Sequence, residues 1–105
     1  MSVELSVITI NYNGVKDTCE LMDTLPLEDA SLEVIVVDNA SKEDEASTIE
    51  RRYPQVKVIR SDRNLGFAGG NNLGILQARG QYLFFINNDT VFRGKRDDGR
   101  GKSVA

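Results

Sequence analysis

Four short apolar runs, each bounded by polar residues, constrain this chain more than any other feature. They are LSVITI at Leu5–Ile10, VIVV at Val34–Val37, VKVI at Val56–Ile59 and YLFFI at Tyr82–Ile86. Runs apolar at nearly every position suit strands covered on both faces, as in a parallel sheet, whereas one-sided strands alternate. Parallel neighbours need a crossover, and the intervening segments have helical spacing. Val15, Cys19, Met22 and Leu25 make one apolar stripe, closed by Pro26. Ser41 opens SKED as the predicted N-cap of a second helix, with Ala46, Ile49 and Tyr53 on its buried face and Pro54 as its stop. Ala68, Leu73 and Leu76 predict a third helix ending near Gly80. Strands and helices therefore alternate, which calls for an α/β fold: a mostly parallel sheet, flanking helices and right-handed crossovers.

The 105 residues, 40% of them hydrophobic, suit one domain with a packed core, drawn over residues 1–92. After Phe92 the stretch RGKRDDGRGKSVA has three glycines, seven charges and no period, and residues 93–105 are expected to form a disordered basic tail. Its GKS at Gly101–Ser103 is no phosphate loop, because the position that needs glycine is Arg96. Histidine is absent, which excludes a Ser-His-Asp triad and any histidine base. Cys19, the sole cysteine, reads as a small core residue in a reducing compartment. With no apolar run near the roughly 20 residues of a membrane span and no secretory signal at Met1–Glu4, the expected location is the cytoplasm, including the inner face of the membrane. Residues 1–92 hold eight basic against fourteen acidic side chains, and residues 93–105 hold five against two. So acidic a body argues against a nucleic-acid partner, whose phosphates would need neutralising.

In open α/β sheets, ligands gather beyond the carboxyl ends of the strands. Here NYNG (Asn11–Gly14), DNAS (Asp38–Ser41), SDRNLGFAGGNN (Ser61–Asn72) and NND (Asn87–Asp89) follow the four runs in turn. Each has an ordinary reading as turn chemistry or a helix cap. Their shared location at one edge favours a binding site, and a Gly-rich helix entry suits a phosphate-bearing ligand. No Gly-x-Gly-x-x-Gly follows the first run, which argues against a dinucleotide. Asp89 is the candidate metal ligand for Mg²⁺ or Mn²⁺, ions that often take only one or two carboxylates and complete their shell with water and substrate phosphates.

Taken together, SVITINYNG, EVIVVDNASKED, RNLGFAGGNNLGI and YLFFINNDT resemble the family 2 glycosyltransferases, most closely a rhamnosyltransferase-like branch, over about residues 3–92. The resemblance implies the Rossmann-like, nucleotide-sugar half of a GT-A fold. It implies that Tyr12, with Asn11 and Asn13, borders the base, and that Asp38, with Ser41 beside it, holds the base or ribose. Asn64, Gly70 and Asn71 would line the nucleotide pocket. Asn87, Asn88 and Asp89 would stand where the family has its Asp-x-Asp metal motif, with Asn87 an amide where a carboxylate is often found. The implied activity is sugar transfer from a nucleoside-diphosphate sugar, with Mg²⁺ or Mn²⁺, to the hydroxyl of a carbohydrate or lipid-linked acceptor. The family's catalytic base belongs to an acceptor-binding half that follows the metal motif, and nothing in residues 93–105 resembles it. Asp97 and Asp98 lie in a segment without core-forming residues to hold a base in place. The chain therefore reads as a truncated, donor-binding part. The alternative is a non-catalytic module that self-associates as a homo-oligomer through an exposed sheet edge.

Overall fold

A computed structural model describes residues 2–89; the tail expected at residues 93–105 lies outside them. The elements are β1 (Leu5–Asn11), α1 (Val15–Thr24), β2 (Leu32–Asp38), α2 (Glu45–Arg52), β3 (Lys57–Arg60), α3 (Gly66–Gln77) and β4 (Tyr82–Phe85). All strand pairs are parallel, in the order β3-β2-β1-β4.

Alternation along the strands divides the apolar side chains between two layers. Val7, Val34 and Val36 face one side, packed with Cys19, Leu21 and Met22 of α1 and Ile49 of α2. Ile8, Ile35 and Val37 face the other, packed with Leu73 of α3. This follows from handedness. The first two crossovers step from β1 to β2 to β3 in one direction, so right-handed connections put α1 and α2 on one face. The third steps back past β2 and β1 to β4, and the same hand puts α3 on the opposite face. Two glycines let α3 lie close on the sheet: a Cβ on Gly74 would stand 2.6 Å from Ile8 Cγ2, and one on Gly70 would stand 2.8 Å from Ile10 Cδ1.

At the amino edge of the sheet, buried Glu33 anchors the α3–β4 connection. Its Oε1 accepts from Ser6 Oγ at 2.7 Å and from the Arg79 backbone N–H at 2.9 Å, and its Oε2 accepts from Arg79 Nε at 3.1 Å. The Gly80 N–H donates to Ser6 Oγ at 2.8 Å. Burial pushes the Glu33 carboxyl up, but the Arg79 backbone N–H, the Ser6 hydroxyl and the Arg79 guanidinium outweigh it and hold the group below its ordinary value.

Three local expectations are corrected. Helix α2 starts at Glu45 and is capped by Asp44, which accepts from the Ser47 N–H at 3.2 Å; Ser41 does not cap it because its hydroxyl is committed to Asp38. Strand β4 is not covered on both faces: it pairs with β1 alone among the described residues, and Tyr82 is 68% exposed. Leu76 stands on the open side of α3, 79% exposed, rather than on its packed face.

Candidate functional site

Because every strand is parallel, all four carboxyl ends share one edge. The strand order also reverses there: successive strands lie to one side of β1, and β4 returns to the other. Such a switch point, here between β1 and β4, opens a crevice beyond the strand ends.

The β1–β2 register sets Asn11 opposite Asp38. Asn11 is fully buried, and its Nδ2 donates to Asp38 Oδ1 at 2.9 Å and to Glu45 Oε1 at 2.9 Å. Carboxylates only accept, so they orient the amide and turn its Oδ1 toward α1, where the Thr18 hydroxyl donates to it at 2.6 Å. Ser41 Oγ donates to Asp38 Oδ1 at 2.6 Å and accepts from the Asn13 backbone N–H at 2.9 Å. Asn13 Oδ1 accepts from the Lys42 N–H at 2.8 Å, which joins the loops after β1 and β2. Both loops turn through left-handed residues, Asn13 at φ 52° and Ala40 at φ 69°. Asparagine tolerates that conformation, whereas alanine is strained in it.

A second cluster forms around Asn39, which is 2% exposed. Its Oδ1 accepts from the Leu65 N–H at 3.0 Å and its Nδ2 donates to the Gly66 carbonyl at 3.0 Å. Because α3 has no side-chain cap of its own, the loop after β2 reaches across to hold its start. Asn64 Oδ1 accepts from the Gly66 N–H at 2.8 Å, closing an Asx-turn that points into the helix. Gly70 is buried against Ile10, and Asn71 is half-buried beside it.

At the β4 end, Thr9 Oγ1 donates to the Ile86 carbonyl at 2.7 Å, and Asn88 Nδ2 donates to Thr18 Oγ1 at 3.1 Å. Asn87 and Asp89 are exposed, and Tyr12 is 48% exposed on the same edge. An open cleft of about 380 Å³ extends the edge toward β3, lined in part by Asp38, Ser41, Lys42 and Arg60.

The structure thus brings Asn11, Asn13, Asp38, Ser41 and Asn88 into one network, sets Asn64 and Gly70 around Asn39, and leaves Tyr12, Asn87 and Asp89 open to solvent. Thr18, Asn39 and Glu45 are additional members. Thr18 had a readable signal, a polar residue between Val15 and Met22 on an apolar helical stripe. Among the described residues no three His, Cys, Asp or Glu side chains gather to hold a metal. Exposed Asp89 beside two amides offers hard oxygen donors alone, a set that fits an ion taking the rest of its shell from water and phosphate.

The sequence model of Glycosyl transferase family 2 matches residues 6–97. The chain belongs to this family. A relative from Haemophilus influenzae, named "Uncharacterized glycosyltransferase", is 36% identical to this family 2 chain over 90 residues, covering 84% of this chain and 30% of that protein. The succinoglycan biosynthesis protein ExoO of Rhizobium meliloti is 28% identical over 95 residues, covering 89% and 27%. The chain therefore spans less than a third of the length of these two relatives. Among solved structures, S. aureus TarS 1-349 in complex with UDP-GlcNAc superimposes with a TM-score of 0.72 at 27% identity, over 85% of this chain and 27% of that one. Mannosyltransferase PcManGT from Pyrobaculum calidifontis, in complex with GDP-Man and Mn²⁺, gives a TM-score of 0.74 at 25% identity, over 88% and 29%. The parallel sheet and its flanking helices are structurally similar to the part of these GT-A glycosyltransferases that the chain covers.

Proposed function

We propose that residues 1–92 form the donor-nucleotide part of a glycosyltransferase, binding a nucleoside-diphosphate sugar at the carboxyl edge of the sheet. The observation that carries this reading is the reversal of strand order between β1 and β4, which sets Asn11–Gly14 and Asn87–Asp89 beside each other at the carboxyl edge of the sheet. The likeness to TarS and PcManGT, solved with UDP-GlcNAc and with GDP-Man and Mn²⁺, supports it.

In this reading Tyr12 and Asp38 meet the base and ribose, with Ser41 and Asn13 fixing the loops beside them. Asn11 acts from behind, holding Asp38. Asn64 and Asn71 present amides from the start of α3, while Gly70 lets that helix approach the sheet. Asp89 holds Mg²⁺ or Mn²⁺, and the neutral amides of Asn87 and Asn88 beside it contact the nucleotide sugar. When bound, the ion supplies charge neutralisation to the departing diphosphate. The acceptor is a carbohydrate or lipid-linked hydroxyl, and the base that deprotonates it is assigned to none of the described residues. The rhamnosyltransferase-like resemblance is the narrower reading and puts dTDP-sugars among the donors to try. The place of action is the cytoplasm, including the membrane's inner face; among the described residues no helix is long and apolar enough to cross a membrane.

Calorimetric titration of the 105-residue chain with UDP-, GDP- and dTDP-sugars, with and without Mn²⁺, tests this function. The expected result is Mn²⁺-dependent binding of at least one donor, weakened by Asp89→Ala. No binding to any of them contradicts it.

One observation favours a second reading, association between copies. Among the described residues β4 has no strand on its outer side, and Tyr82, Leu83 and Phe85 on it are exposed. Sedimentation that shows a dimer dissociated by Leu83→Lys supports it, and a monomer that binds nucleotide counts against it.

A further inference from the structure

We infer that Thr18, on α1, is a positioning residue for the donor site, setting the metal-side segment after β4 against the base-side carboxylate after β2. The inference rests on the donor-binding reading above and adds to it a residue that touches neither ligand nor metal.

Thr18 is completely buried, and among the described residues its hydroxyl links the loop after β1 to the segment after β4 through side chains. A continuous path runs from Asn88 Nδ2 to Thr18 Oγ1 at 3.1 Å, from Thr18 Oγ1 to Asn11 Oδ1 at 2.6 Å, and from Asn11 Nδ2 to Asp38 Oδ1 at 2.9 Å. The direction of every bond in it is fixed. Asp38 and Glu45 can only accept, so Asn11 turns its amide nitrogen to them and its oxygen to Thr18. The Thr18 hydroxyl must then donate its single proton to Asn11, which leaves its lone pairs for Asn88. A group that donates and accepts at one atom is required, and a hydroxyl meets that requirement.

The tie sits where the chain has few others. Among the described residues, the last backbone bond between β1 and the β4 segment runs from the Ile86 N–H to the Ile8 carbonyl at 3.1 Å. Beyond Ile86, the Asn88 amide is held by Thr18, and Asp89 follows directly. Gly14 keeps the approach open, since a Cβ there would stand 3.1 Å from Asn88 Nδ2. Thr18 thereby places Asp89 relative to Asp38, and a ligand touching both depends on that separation.

The test uses Thr18→Val, which keeps the shape and removes the hydroxyl, and Thr18→Ser, which restores it. Affinity for UDP, GDP and dTDP is measured on the full 105-residue chain with and without Mn²⁺, alongside circular dichroism to confirm folding. The expected result is about a tenfold loss for Thr18→Val with Mn²⁺ present, no comparable loss without Mn²⁺, and recovery in Thr18→Ser. A Thr18→Val protein that binds as the parent does, one that loses affinity equally with and without Mn²⁺, one that fails to fold, or a Thr18→Ser protein that shows no recovery overturns the inference. The first of these leaves the donor-binding reading standing. A parent chain that binds none of the three nucleotides removes both.

Discussion

Asn11 Nδ2 lies 2.9 Å from Asp38 Oδ1, and these two side chains close the parallel pairing of β1 with β2 at the carboxyl edge of the sheet, where the donor site is proposed. The amide is wholly buried and the carboxylate nearly so. Asn11 therefore contributes to stability and to site geometry through the same contact.

Replacing Asn11 leaves Asp38, Glu45 and Thr18 each short of a partner. Asn11→Ala is expected to cost about 1–3 kcal/mol in urea denaturation, the range for stranded buried polar groups. Asn11→Asp should cost more at neutral pH, because it sets a third carboxylate against Asp38 and Glu45. The gap between the two variants should narrow on acidification, as the new group takes up a proton.

Gly74 faces Ile8 so closely that an added methyl would sit 2.6 Å from Ile8 Cγ2. Gly74→Ala is expected to destabilise by about 1–3 kcal/mol despite its gain in helix propensity. Gly74→Ala should cost less in an Ile8→Ala background, which lacks the crowding Cγ2 methyl, so the double variant should lose less than the sum of the two single losses. Thermal unfolding of the single and double variants checks the coupling.

Glu33 gives the acid limb of the stability curve a definite sign. Its folded carboxyl is held below the ordinary value of 4.5. The stability it adds is fully present above that value and is lost as the pH falls through the lower, folded one. Glu33→Gln should therefore flatten the decline between neutral and acid pH, while lowering stability at pH 7. Denaturation midpoints from pH 7 down to pH 3 measure it. An unchanged acid limb contradicts the assignment.

Ala40, at φ 69°, is the strained alanine of the β2–α2 turn. Ala40→Gly is expected to leave stability within about 0.5 kcal/mol of the parent or above it, because relief of strain offsets the extra freedom glycine gives the unfolded chain. Ala46→Gly, inside α2 at a buried site, should destabilise by about 1 kcal/mol or more.

The fold was legible because its signals are local and repeated. VIVV and LSVITI read as strands buried on both faces once the helically spaced stripe from Val15 to Leu25 stands between them. The shared edge that carries the proposed site was legible for the same reason: parallel strands put their polar ends together. What escaped depends on tertiary choice. Ser41 carries a sound capping pattern, yet Asp38 is nearer to its hydroxyl than the helix is, and Asp44 takes the cap. YLFFI reads as a strand covered on both faces, but hydrophobicity does not say which strand ends the sheet, and among the described residues β4 does. Asn11 looks like a ligand contact in NYNG and proves to be buried, because the β1–β2 register that turns it inward is a long-range fact. Asn39 was hidden because its partners, Leu65 and Gly66, are far along the chain.

The central claim is that the crevice between β1 and β4 holds a nucleotide and its metal. Mn²⁺ broadens the amide resonances of nearby residues, so a nuclear magnetic resonance titration with Mn²⁺ and whichever nucleotide binds locates the ion directly. The account predicts broadening at Asn11–Gly14 and at Asn87–Asp89, with Glu33 and Gly80 at the opposite edge of the sheet left sharp. Broadening centred on Glu33 and Gly80, or none confined to the β1 and β4 ends, would contradict it.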